Sequence, residues 1–153
     1  MATRAEIAIY QNYTPRNKRP AFIIIKSHNG NPEAIIPLIV PILKAMGDNV
    51  FVGSCAAWLV HSLIEVCIKQ NIENKAAGEL PDMPENGRDF AGVWLADGRE
   101  FGCSDSDYTY IIYKNTLEIR HSRTSEVIET IKFADWKEEK ITRKNVLQFR
   151  PKN

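Results

Sequence analysis

Apolar residues change their spacing along this chain, and the change divides it into a helical middle and a strand-rich second half. "AEIAIY" (5 to 10) alternates as a short strand does. "AFIIIK" (21 to 26) has three consecutive isoleucines, the composition of a strand covered on both faces. These two runs are expected to be sheet neighbours. Between them "YTPRNKRP" (13 to 20) reads as a proline-bounded basic loop.

In "NGNPEAIIPLIVPILKAMGDN" Pro32 suits the first helical position, with Asn31 as N-cap and Glu33 near the positive helix end. Pro37 and Pro41 each remove a helical hydrogen bond, at about 3 kcal/mol, which predicts a kinked or two-part helix. The run is apolar nearly all round and is therefore expected to be buried, with Gly47 as its stop. If it exceeds what one sheet covers, it becomes a surface for a homo-oligomer.

The clearest helix is "CAAWLVHSLIEVCIKQN", capped by Ser54, with Ala56, Leu59, Val60, Leu63, Val66 and Cys67 at helical spacing. A polar stretch at about 72–90, containing Gly78, Pro81, Pro84 and Gly87, reads as a long loop. "FAGVWLAD", "YTYIIYK", "TLEIRHS" and "SEVIETIKF" then form short β-rich runs separated by turn residues, which predicts an antiparallel meander. "DWKEEKITRKNVLQF" closes the pattern as a short helix or a polar C-terminal tail. The fold class expected is α+β: two helices packed on one face of a mixed, mainly antiparallel sheet, in one globular domain over 1–153.

Composition changes this picture little. The 153 residues are 44% hydrophobic and 25% charged, as in ordinary globular domains. Twenty Lys and Arg against nineteen Asp and Glu give a net charge of +1, so any site for a polyanion must be a local patch and nucleic acid is not the favoured partner. "MATRAEIAIYQ" lacks the apolar core of a secretory signal, which makes the cytoplasm the expected compartment and a membrane an unexpected one. Cys55, Cys67 and Cys103 are odd in number and widely spaced, which argues for reduced thiols and against a metal site.

Several stretches carry candidate chemistry. A strand-to-helix turn such as "KSHNGNPEAI" can bind an anion on its free amides. This one lacks the glycine spacing of a phosphate loop, and Glu33 and Pro32 oppose an anion there, so a tight corner competes with the ligand loop. His28 at the turn is the candidate acid or base. His61, mid-helix and four residues before Glu65, is expected to be partly buried and structural, and His121 ends a strand. "GCSDSDYTY" brings Asp105 and Asp107 together with Ser104 and Cys103, a pair of carboxylates that would face one way if extended. No G-x-S-x-G elbow supports a Ser-His-Asp triad. The enzymatic reading is a small hydrolase or nuclease using His28 with Asp105 or Asp107. The binding reading uses Arg16, Lys18, Arg19 and Lys26 with an aromatic, Tyr13 or Trp94, to hold the phosphate and base of a small ligand.

The order strand, turn, helix and late tyrosine-rich strand resembles an uncharacterised group of small prokaryotic and phage-encoded proteins with an Asp-Gly-Tyr-Pro-Glu turn. Gly30, Pro32 and Glu33 match that turn, and Asp107, Tyr108 and Tyr110 match the acidic strand. Ser27, Asn29 and Asn31 depart from it, replacing the family's histidine, aspartate and tyrosine. The resemblance implies an α+β fold and phage-like company, and it carries no established activity. Because no nucleophile, metal cluster or cofactor loop stands out among the residues, no cofactor is expected and the expected role is binding or regulation rather than catalysis. Phage-like company would make the target a host protein or a small nucleotide-like signal.

Overall fold

The computed structural model describes residues 3–11, 18–46, 54–74, 92–102 and 105–136. In chain order they form β1 (Ala5–Ile9), β2 (Phe22–Lys26), α1 (Pro32–Met46), α2 (Ser54–Asn74), β3 (Val93–Asp97), β4 (Tyr108–Tyr113), β5 (Thr116–His121) and β6 (Val127–Lys132). Single 3-10 turns follow β3 and β6, at Gly98–Glu100 and Phe133–Asp135. The strands make one six-stranded sheet in the order β3-β2-β1-β4-β5-β6. The fold is α+β with a mixed sheet.

The expected neighbours β1 and β2 pair antiparallel, with Ile7 opposite Ile24. The four-strand meander is corrected to three strands, β4, β5 and β6. "VWLAD" leaves that group and pairs antiparallel with β2 at the far edge, Trp94 opposite Ile25. β4 instead enters beside β1 in parallel, Ile7 opposite Tyr110. A parallel neighbour requires a long crossover, and the chain between β1 and β4 supplies it. Central position explains the burial of all five β1 residues, including Glu6.

α1 runs unbroken through Pro37 and Pro41, against the expectation of two parts. Its buried stripe of Ile35, Ile36, Ile39, Val40 and Leu43 explains this. Five aliphatic side chains at roughly 2 kcal/mol each outweigh two interior prolines at about 3 kcal/mol each. Pro37 is exposed and Pro41 half-exposed, so the prolines lie off the stripe and the helix is not buried all round. The start is as expected: Pro32 is the first helical residue, and the Ile35 amide donates to the Asn31 carbonyl at 3.0 Å. Gly47 lies outside the described residues.

α2 is longer than the pattern indicates, since Ile72–Asn74, assigned to the loop, continue the helix. The rest of that loop, at 75–91, lies outside the described residues, as does the tail from 137. Leu59, Val60, Leu63 and Cys67 are buried and Val66 only half-buried. The main core joins Leu59, Val60, Leu63 and Cys67 and the α1 stripe to Ile7, Ile9, Ile24, Tyr110, Ile112, Leu117 and Ile119 of the sheet. The buried stripe of α1 is thus committed inside the molecule, while Leu38, Ile42 and Met46 are only partly covered. A second cluster holds Ala8, Tyr10 and Ile111, with Phe101 and Tyr113 against it. Among the described residues no helix is long and apolar enough to cross a membrane.

Candidate functional site

Strand register places Val93, Lys26, Ala5, Tyr108 and His121 in one transverse row on one face of the sheet. Lys26, the last residue of β2, is fully buried there. Its ammonium donates to the carbonyl of His28, to that of Asn29 at 3.1 Å and to Asn71 Oδ1 at 2.7 Å. On the other side of Ala5, the Tyr110 hydroxyl donates to the Gly30 carbonyl at 2.6 Å. The carbonyls of residues 28, 29 and 30 therefore turn inward and are each bonded from the sheet.

The backbone permits this because Asn29 adopts φ 54, a left-handed conformation that asparagine tolerates. Gly30 fits where a Cβ would come within 2.7 Å of the Ala5 amide nitrogen, so the loop lies directly on β1. The Gly30 amide donates to the Thr3 carbonyl at 2.9 Å. Gly92, at φ 76, closes the other side: its carbonyl accepts the Ser27 amide at 2.7 Å, and a Cβ there would collide with Ser27 Oγ. An anion loop aims amides outward, whereas this loop aims carbonyls inward. The turn is a corner bonded to the sheet.

Burial lowers the Lys26 pKa from 10.5 to about 8, opposed by the nearby Cys67 thiolate that would form at high pH. Burial raises the Cys67 thiol to about 11, opposed by Lys26. At neutral pH the pair is therefore an ammonium beside a protonated, unreactive thiol. The structure gives Lys26 a holding task rather than the ligand-binding one expected from sequence, because its three protons already have acceptors.

His28 is exposed, and only its carbonyl takes part in the corner. Asp105 and Asp107 precede β4 at the same end of the sheet. Asp107 Oδ2 accepts the Arg4 amide at 2.9 Å, and the Asp107 amide returns a bond to the Arg4 carbonyl at 3.0 Å. Its carboxylate fixes the entry to β4, while Asp105 is exposed. Among the described residues neither carboxylate bonds His28. Ser104 and Cys103 lie outside the described residues. His121 lies against Tyr108, ring centroids 5.4 Å apart. His61 is corrected: its side chain is 75% exposed and lies 3.6 Å from Glu65, so the spacing held and the burial did not.

Of the binding candidates, Tyr13 and Arg16 lie outside the described residues, and Lys18 and Arg19 are exposed. Trp94 is half-buried and shares a row with Ile25, Glu6, Thr109 and Arg120, on the face opposite Lys26. Lys26 and Trp94 therefore cannot line one pocket within a single chain.

The opposite strand end assembles a different set. The segment 18–20 that leads into β2 packs on the turn after β3, where a Cβ on Gly98 would overlap the Pro20 carbonyl. Arg19 thereby comes near Asp97, which also accepts from the Arg99 amide at 2.9 Å and from Arg99 Nε and Nη2 at 3.3 Å. The backbone and side-chain bonds from Arg99, with smaller contributions from the charges of Arg99 and Arg19, hold the Asp97 carboxyl below its ordinary range. At the β4–β5 turn Lys114 sits 5.4 Å over the Tyr113 ring, and Tyr113 meets Tyr10 edge-on at 5.8 Å. Arg99 and Lys114 did not figure in the sequence reading. The available signal was that Asp-Gly-Arg and Tyr-Lys-Asn are turns; β3 and β4 both run opposite to β2, and this shared direction brings both turns to the end where Arg19 enters.

No group of three or more metal-ligating side chains occurs among the described residues. No protein-family model matches the chain, and neither a curated protein nor a solved structure matches it.

Proposed function

We propose that the chain is a non-catalytic binding protein that takes a small phosphorylated, nucleotide-like ligand at the strand end carrying Lys18, Arg19, Arg99 and Lys114. The observation that carries this reading is that one strand end brings exposed Arg19 and Arg99 to Asp97 and exposed Lys114 over Tyr113 of the Tyr10–Tyr113 pair, with exposed Lys18 next to Arg19 in the chain. Asp97 orients the Arg99 guanidinium, whose side chain is 77% exposed, so that its remaining hydrogens can meet a phosphate. With a net charge of only +1, a local patch suits a small ligand better than a long nucleic acid. In this reading both helices cover one face of the sheet and leave the strand ends to the ligand. The resemblance to phage-encoded proteins supports a role in withholding a host signal.

The test is mass spectrometry of small molecules released on denaturing the purified protein, followed by titration with the compound found or with a panel of nucleoside diphosphates. An intact nucleotide is expected, bound more weakly as salt rises and lost in Arg19→Ala/Arg99→Ala. No binding across the panel, or binding indifferent to the double substitution, overturns the reading. Hydrolysis of the nucleotide that disappears in His28→Ala would replace it with the enzymatic one.

A further inference from the structure

The most exposed large apolar side chain among the described residues is Trp58, at 68%. It stands on the outward side of α2, whose inward side carries Leu59, Leu63 and Cys67. His61, Glu65 and Lys69 follow it along the helix at three- and four-residue steps, all exposed. His61 and Glu65 are 75% and 72% exposed and already oppose one another along the helix. α2 packs beside the edge strand β3, whose Leu95 is a second exposed apolar residue at 47%. A tryptophan so placed exposes a large apolar surface that the described residues leave uncovered.

We propose that this outward stripe of α2 is an interface with a second copy of the chain, the two helices running antiparallel about a two-fold axis. The order of charges selects this partner. An antiparallel pairing centred near residue 63 puts Trp58 against Lys69 of the second copy and His61 against its Glu65. The symmetry repeats both contacts in reverse. The first is a cation over an indole face, the second an imidazole facing a carboxylate. A parallel pairing in register would instead set Glu65 on Glu65 and Lys69 on Lys69. The stripe is otherwise polar, so the dimer is concentration-dependent, with Trp58 as its anchor. It leaves the strand ends open and is independent of any ligand there.

Light scattering across a concentration series of the full chain tests this. A dimer is expected that weakens about tenfold or more in Trp58→Ser, a surface change that leaves folding intact. Glu65→Lys alone also weakens it, by removing the carboxylate that His61 of the second copy faces, and His61→Glu/Glu65→Lys restores it because the pairing is reciprocal. A protein that stays monomeric throughout the series overturns the proposal. So does a dimer indifferent to Trp58→Ser, or a double variant no tighter than Glu65→Lys alone.

Discussion

Lys26 Nζ donates to Asn71 Oδ1 across 2.7 Å, tying the last residue of β2 to the last turn of α2, 45 positions away in sequence. The same ammonium holds the carbonyls of His28 and Asn29, so one buried charge fixes strand, corner and helix together. Lys26→Met keeps the volume and removes every donor. It leaves a side-chain amide oxygen and two carbonyls without their partner, and a loss of about 3 kcal/mol or more is expected in denaturant unfolding. Lys26→Met/Asn71→Leu should recover part of that loss, because it removes one stranded group and leaves the carbonyls. If Lys26→Met alone matches the wild type, the ammonium does not hold the corner.

Stability should depend on alkaline pH through Lys26 and Cys67 in opposite directions. The Lys26 pKa is lowered from 10.5 to about 8, so between those values the unfolded chain binds more protons and stability rises with pH. The Cys67 pKa is raised from 9.0 to about 11, so between those values the folded chain binds more protons and stability falls with pH. The two oppose each other where they overlap, leaving a rise from about 8 to 9 and a fall beyond 10.5. Cys67→Ala should extend the rise, and Lys26→Met should abolish it. The measurement is unfolding free energy against pH, taken as the difference from each variant so that surface groups cancel.

Tyr110 is the second anchor of the corner. Its pKa is raised well above 10, first by burial and then by Tyr108 and Glu33, so the phenol remains a donor to Gly30 throughout the native range. In a spectrophotometric titration its share of the phenolate signal should appear only with unfolding, and Tyr110→Phe should remove that late step. The same substitution leaves the buried Gly30 carbonyl without a donor and should cost about 1–2 kcal/mol. A late step that survives in Tyr110→Phe assigns the protected phenol elsewhere.

Local patterns made the helices and most strands legible, because Leu59, Leu63 and Cys67, or Ile7 and Ile9, repeat at distances that one element sets. Partnership between distant elements was not legible. "VWLAD" reads as well before "YTYIIYK" as beside β2, since nothing in an edge strand of five residues names its neighbour. Lys26 shows the same limit at the site. A lysine ending a strand normally reaches solvent, and only Asn71 and the inward carbonyls, assembled by the fold, make its burial tolerable. Parity separated Lys26 from Trp94 once the register was known. The turns that bring Arg99 and Lys114 to the Arg19 end were visible as turns but could not be assigned an end without the strand order.

The terminal strand β6 carries its own protection against pairing. Glu129 Oε1 accepts the amide of Thr130 at 3.0 Å, so this amide is bonded to its neighbour's side chain. Glu129, Thr130 and Lys132 are exposed, as is Val127 at 49%, so the fully exposed positions of this edge are polar apart from Val127, while Ile128 and Ile131 pack partly against the core. An edge strand with bare amides and no charge recruits strands from other molecules. Glu129→Val removes both the charge and the carboxylate that occupies the amide, and it favours extended structure. Its folding stability should stay within about 0.5 kcal/mol of the wild type, as for other surface changes, while association rises. Thioflavin binding and light scattering after prolonged incubation should increase in Glu129→Val and stay at the wild-type level in Glu126→Val, a nearby acid before the strand. Equal association in the two variants would mean that lost net charge, and not the freed Thr130 amide, drives it.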